Sequence, residues 1–342
     1  MISNSIYARI FGDKHMTKEL PFNTKAFLTH VIIYLQRKIF SGKKGYGAYS
    51  YMPTVLSIDE TIDLIIEKIR SGTPFVAGKI GTGDGEALAR YFDINANEHA
   101  LQKALKMTIG KRGPFWWDNS VRAAICRCAG VFPITDESIE KFCDIFIDAC
   151  QYIDGFASFN PGEFRLHQTL CPTAASINLN ALAPQGHPRT WYRAIEGKTL
   201  LVVHPYAKTI QTQYEKNVEY HVGQGAFPRL KKLITYVPVN SIGGSNDDFS
   251  NWEAALNHMT DEISNIDFDI AMLGCGVYGI PLSAHIKKIG KIAIYTGGAT
   301  QIIFGIKGKR WDNCGIYNEY WIRPLSEDIP HNMKTIEGGC FL

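Results

Sequence analysis

The chain reads as an α/β protein: a Rossmann-like, mostly parallel sheet flanked by helices, preceded by an N-terminal helical arm. Three observations predict it. Apolar runs of strand length recur at residues 75–80, 199–204, 234–239, 269–274 and 291–296. Runs without polar alternation mark strands buried on both faces. Stretches of helical length separate them, as parallel crossovers require, and several runs end in glycine-rich turns, where open α/β sheets bind ligands.

The elements follow in order. Residues 1–52 form the arm, 53–325 the main domain and 326–342 a C-terminal tail. Within the arm, residues 26–40 place Phe27, Val31, Ile32, Leu35 and Phe40 among polar positions, and Arg37, Lys38, Lys43 and Lys44 follow or flank them. That pattern serves a helix docked on the main domain, or peripheral contact with a membrane surface through residues 26–44. A Gly/Tyr/Lys-rich connector follows at 41–51. Ser57 and Glu60 have capping-box spacing and open a helix through Ile69. After the strand at 75–80 comes a helix from about Glu86, then helical patterns at 120–128 and 136–150, and a short strand from Gly155.

Composition bounds the chemistry. The chain has 342 residues, 45% hydrophobic and 20% charged, ordinary for a globular protein. A net charge of +3 gives no electrostatic reason to expect nucleic acid as a partner. Eight cysteines, at 126, 128, 143, 150, 171, 275, 314 and 340, form neither a CxxC pair nor an even ladder. Neither a zinc site nor a disulfide framework is indicated, and a reducing, cytoplasmic setting is expected. Residues 1–17 lack the apolar core of a secretory signal.

The most informative segment is Pro74-Phe-Val-Ala-Gly-Lys-Ile-Gly-Thr-Gly-Asp-Gly-Glu86. A buried strand runs into a turn in which Gly81, Gly83 and Gly85 allow close backbone approach to a ligand. If that turn stays extended, Asp84 and Glu86 face one side and suit Mg²⁺ or Mn²⁺ with phosphate oxygens completing the shell. The alternative is that the two acids simply cap the following helix. Lys79 stands beside them as a charge for phosphate.

Other strand ends carry further candidates: His204 and Glu163 as general bases, Lys208, Gln213 and Tyr214 at the start of the next helix, and Gly274, Gly276 and Tyr278 in Leu273-Gly-Cys-Gly-Val-Tyr-Gly279. Gly297, Gly298, Thr300 and Gln301 form a turn suited to phosphate or sugar hydroxyls. Lys309 and Arg310, with Lys307 and Trp311, offer a cationic edge and a stacking plane. Trp116 and Trp117 are candidates for a stacking surface, with core packing the alternative. The Gly274–Gly279 turn also resembles a methyltransferase glycine motif for S-adenosylmethionine. Only 63 residues follow it, however, and the next strand ends in Tyr295-Thr-Gly-Gly rather than in an acid for a ribose hydroxyl.

Four blocks together resemble the GT-D-type glycosyltransferases and their GT-D-like relatives: Asp84-Gly-Glu86 after a strand, Leu201 to Tyr214, Phe268 to His285, and Gly297-Gly-Ala-Thr-Gln-Ile-Ile-Phe-Gly-Ile-Lys-Gly-Lys-Arg-Trp311. The resemblance spans roughly residues 55–312. It implies a DxE motif, here Asp84 and Glu86, engaging a divalent metal and a nucleotide sugar, commonly a UDP-sugar. The expected activity is transfer of a hexosyl or pentosyl group to a glycan or glycoprotein acceptor in polysaccharide or glycoprotein synthesis. The alternative is a non-catalytic nucleotide- or glycan-binding protein on the same fold. This chain departs from the pattern at Lys79, Ile80, Thr82 and Tyr295.

Overall fold

The computed structural model describes residues 54–108, 114–158, 161–216, 219, 227–330, 339, 341 and 342. The arm and its connector, with the helix and membrane contact expected there, lie outside them. Helix α1 (Ile58–Ser71) opens with the expected capping box. Ser57 Oγ accepts from the Glu60 N–H at 3.2 Å, and the Glu60 carboxylate accepts from the Ser57 N–H at 2.8 Å. Gly72, in the left-handed region at φ 67°, ends the helix, where a side chain would strain the backbone.

Seven strands make one sheet: β1 (Phe75–Gly78), β2 (Gly155–Ala157), β3 (Ala175–Ile177), β4 (Thr199–Val203), β5 (Lys232–Tyr236), β6 (Ile270–Leu273) and β7 (Ile292–Tyr295), in the order β3-β2-β1-β7-β6-β4-β5. Every pairing is parallel. Strands β1, β4, β6 and β7 are buried along their whole length, which is why each reads as an unbroken apolar run. Edge strand β5 is half exposed, and β3 at the other edge is three residues long.

Alternation along these strands divides the core in two. Val76, Leu201, Val203, Ala271, Leu273, Ala293 and Tyr295 point to one face. Phe75, Ala77, Leu200, Val202, Ile270, Met272, Ile292 and Ile294 point to the other. The first face is covered by α2 (Thr82–Asn95), α3 (Asp136–Cys150), α4 (Trp252–Ser264) and α5 (Gly279–Lys288), the second by α1, α6 (Ala207–Lys216) and the short α7 (Thr300–Ile303) with its continuation. The Ser120–Cys128 pattern is realised as a short α-helix, Asn119–Arg122, running into a π-helical turn, Ala123–Ala129.

This layering places the site. After β1 the chain passes to the first face and after β7 to the second. After β6 it returns to the first face, and after β4 it goes to the second. Connections from neighbouring strands therefore diverge at the carboxyl ends of β1, β7, β6 and β4, the place where open α/β sheets bind ligands. The described residues of the tail pack on this body. Asp328 bonds to the start of α6, and Phe341 and Leu342 pack against the second core.

Candidate functional site

The turn after β1 is not extended. Gly81 is the N-cap of α2, and Thr82, Gly83, Asp84, Gly85 and Glu86 are already helical. None of Gly81, Gly83 and Gly85 has a positive φ. Successive helical residues rotate by about 100°, so Asp84 and Glu86 leave the helix about 200° apart. The expectation that they face one side is thereby corrected. The sequence is compatible with helix from Thr82 because a glycine at the N-cap leaves an N–H that an acid at the third position can accept. Asp84 does this, taking the Gly81 N–H at 3.2 Å.

Asp84 is 5% exposed. Burial pushes its carboxyl up to about 6, against the pull of the nearby Lys79 ammonium and the Gly81 N–H. Lys79 lies across the β1–β7 crevice from Gly297, where an added Cβ would sit 3.2 Å from Lys79 Cε. The Lys79 ammonium also stands 5.9 Å from the Tyr295 ring centroid. The Tyr295 phenol, buried and near the Asp84 charge, is raised well above its usual range and donates to Gly276 O at 3.0 Å. Tyr295, noted in the sequence only as a departure from the resemblance, joins the candidate site here. Its signal was its place as the last residue of a buried strand.

The ends of β4, β6 and β7 converge just as closely. A Cβ on Gly274 would lie 2.5 Å from His204 Cδ2, 2.6 Å from Thr300 Oγ1 and 2.8 Å from Gly297 O. His204 is 4% exposed, and burial depresses its imidazole to about 3, so it is neutral at physiological pH. Its Nδ1 accepts the Tyr206 N–H at 2.9 Å, which puts the ring proton on Nε2. In that tautomer His204 presents a donor rather than the proton acceptor expected of a base. Thr300 is fully buried, with its hydroxyl 2.8 Å from Gly297 O and 3.2 Å from Leu273 O. It locks the β7 turn to β6 and is not turned to a ligand. Around Gly274 the turn is closely packed, whereas a Cβ on Gly276 would meet only Ala129 O at 3.7 Å.

Several expected ligand contacts are structural instead. Gln213 is fully buried and donates to Gly305 O and Tyr320 O, each at 3.0 Å. The first turn of α6 is served by the chain itself. Asp328 accepts from the Thr209 N–H at 2.5 Å and its hydroxyl at 2.6 Å, while Lys208 pairs with Glu327 at 2.7 Å. An anion already occupies that helix start, so Lys208 does not mark a phosphate site. Tyr214 hydroxyl accepts the Leu230 N–H, and the Tyr278 hydroxyl pairs with Ser241 at 2.7 Å while its ring stacks on Trp252. Trp117 is a core residue whose indole donates to Glu140. The side chain of Glu163 lies outside the described residues.

At the edge of the crevice, Gly298, Gln301, Arg310 and Trp311 surround Phe341, with the Arg310 guanidinium 4.4 Å from the ring centroid. Lys309 and Arg310 are exposed. Among the described residues no group of three or more His, Cys, Asp or Glu is arranged to hold a metal ion, and no helix is long and apolar enough to cross a membrane. A surface indentation lined by Thr199, Lys232 and Asp267 lies at the opposite, amino-terminal edge of the sheet, away from all these groups. Comparisons of the chain with protein-family models, with curated proteins and with solved structures return no match.

Proposed function

We propose that the protein is a glycosyltransferase that takes a sugar from a nucleotide-sugar donor, a UDP-sugar first among candidates, and passes it to a glycan acceptor. The observation that carries this reading is the convergence of Lys79, Asp84, His204 and Gly297 at the carboxyl ends of four adjacent parallel strands. Fold alone supports many chemistries, so the argument rests on these groups.

Transfer breaks the bond between the anomeric carbon and the diphosphate oxygen and forms one to an acceptor hydroxyl. The leaving diphosphate needs positive charge and donors that are already in place. The Lys79 ammonium supplies the first and the His204 Nε2–H the second. The acceptor proton needs a base, and Asp84 is the crevice carboxylate whose ionisation falls nearest neutrality. A divalent cation remains an expectation from the sequence resemblance. Asp84 and Glu86 do not converge on one point as α2 is built, so they do not fit a shared ion here, and no step is derived through one.

The test is a calorimetric and thermal-shift screen of the purified protein against UDP-, GDP-, CMP- and dTDP-sugars, with and without Mn²⁺. Saturable binding of one nucleotide class that Lys79→Ala abolishes, with release of nucleoside diphosphate when an acceptor is added, is the expected result. Binding without turnover on any acceptor supports the binding-protein alternative, and no binding in folded protein overturns the donor reading.

A further inference from the structure

Phe341 sits where a flat ring meets bare backbone. A Cβ on Gly298 would lie 2.5 Å from Phe341 Cε1, so only glycine lets the ring rest there. The Arg310 guanidinium covers the ring at 4.4 Å, and Trp311 meets it edge-on, 6.3 Å between centroids at 61°. A guanidinium plane, an aromatic edge and an unobstructed backbone face make the environment in which a heteroaromatic base stacks.

The polar groups around Phe341 point the same way. Its carbonyl accepts from Gln301 Nε2 at 2.9 Å and from the Tyr206 hydroxyl at 3.2 Å. Gln301 is fully buried, and its Nε2 also donates to Lys307 O at 2.7 Å, which fixes the amide's orientation. Its Oε1 is buried with no hydrogen-bond partner among the described residues. A buried acceptor left unmade is costly. Phe341 therefore satisfies half of the Gln301 amide. A ligand edge carrying a C=O next to an N–H would satisfy both halves, the C=O replacing that of Phe341 and the N–H reaching Oε1. Uracil, thymine and guanine have such an edge, and adenine does not. The neighbouring glycine, Gly297, faces Lys79, so a base at Gly298 has a cation for its phosphates one residue away.

We propose that the slot formed by Gly298, Gln301, Arg310 and Trp311 is the seat of an imide-edged nucleotide base, and that Phe341 is its built-in occupant, displaced when the nucleotide binds. The inference rests on the nucleotide-donor reading above. An occupant that fills its slot about nine-tenths of the time weakens apparent affinity about tenfold.

Titration calorimetry of the full chain and of Phe341→Ala with UDP and with ADP tests this. The expected result is about tenfold tighter UDP binding by the variant, with UDP preferred over ADP by both proteins. Equal or weaker UDP binding by folded Phe341→Ala overturns the proposal. A second measurement does not depend on the variant's folding: a fluorine-labelled phenylalanine at position 341 reports its surroundings by ¹⁹F NMR. Saturating UDP is expected to move its resonance to the solvent-exposed position, and an unmoved resonance with UDP bound overturns the slot while leaving the donor reading intact. If no nucleotide binds either protein, the donor reading itself fails.

Discussion

The end of β1 and the end of β4 lie on the same edge of one sheet, and each leads through a short turn into a helix, yet the two turns treat their polar groups in opposite ways. After β4 the chain closes every account locally. Asp328 takes the N–H and hydroxyl of Thr209, Glu327 holds Lys208, and Gln213 is spent on backbone carbonyls. After β1 a buried carboxylate receives one backbone N–H, and burial raises it rather than a partner lowering it. Asp118, partly buried, shows what a structural acid looks like here. Its pairing with Arg90 at 2.7 Å and its bonds to Ser120 and Val121 outweigh burial and hold it below its usual range. Under-served polar groups in a crevice mark a ligand site more reliably than charged residue types do.

The comparison can be broken in four places. The largest effect is expected where the ends of β4, β6 and β7 pack against one another. Gly274→Val drives a side chain into His204, Thr300 and the Gly297 carbonyl, and a loss of about 3 kcal/mol or more is expected in denaturant unfolding. A fold as stable as the parent's would mean that the β6 turn has slack, and the packed crevice described here would be wrong.

Gln213→Ala comes next. It removes a buried donor shared by the Phe304, Gly305 and Tyr320 carbonyls, of which Gly305 keeps the Ile322 N–H, and should cost about 1 to 2 kcal/mol, with nucleotide affinity unchanged in the folded fraction. Loss of affinity at full stability would return Gln213 to the ligand site.

Asp84→Asn sharpens the other side of the comparison. An acid raised from 3.8 to about 6 binds its proton more tightly folded than unfolded. Its contribution is thus present at low pH and is lost as pH rises from about 4 through 6. The variant should be more stable than the parent above pH 6, on the order of 3 kcal/mol, and indistinguishable from it below about pH 4, while turnover is lost throughout. Urea midpoints across pH 4 to 8 check this, and a variant destabilised at pH 7.5 would make Asp84 a structural acid like Asp118. The smallest effect belongs to Lys208→Ala. Its partner Glu327 is solvent-exposed, so unfolding midpoint and nucleotide affinity should both stay within error, and a large drop in affinity would place a phosphate at α6 after all.

Much of this was legible from the chain alone. Strands β1, β4, β6 and β7 announced themselves because burial on both faces leaves no polar position to interrupt the run. Ser57 and Glu60 announced α1 because both halves of the box lie within four residues. The start of α2 was harder to read, since glycines at 81, 83 and 85 speak for a turn by propensity, while helix–sheet packing around Ala87 and Leu88 draws the helix back to Thr82. Strands β2 and β3, three residues each, are too short for a period to show, although Gly155 did signal the first of them.

What the sequence determined by itself, then, was the fold class and the set of strand ends that meet at one edge of the sheet, because these depend on hydrophobic runs and short-range turns. Tertiary structure alone decided which residues at those ends are committed. The proton on His204 sits on Nε2 because Tyr206 N–H takes Nδ1, the charge on Asp84 is set by burial beside Lys79, and Phe341 reaches Gly298 from 43 positions away. Contacts between residues so distant carry no periodic trace. Spacing along the chain can propose Asp84 with Glu86, but only the helix that starts at Thr82 turns them apart.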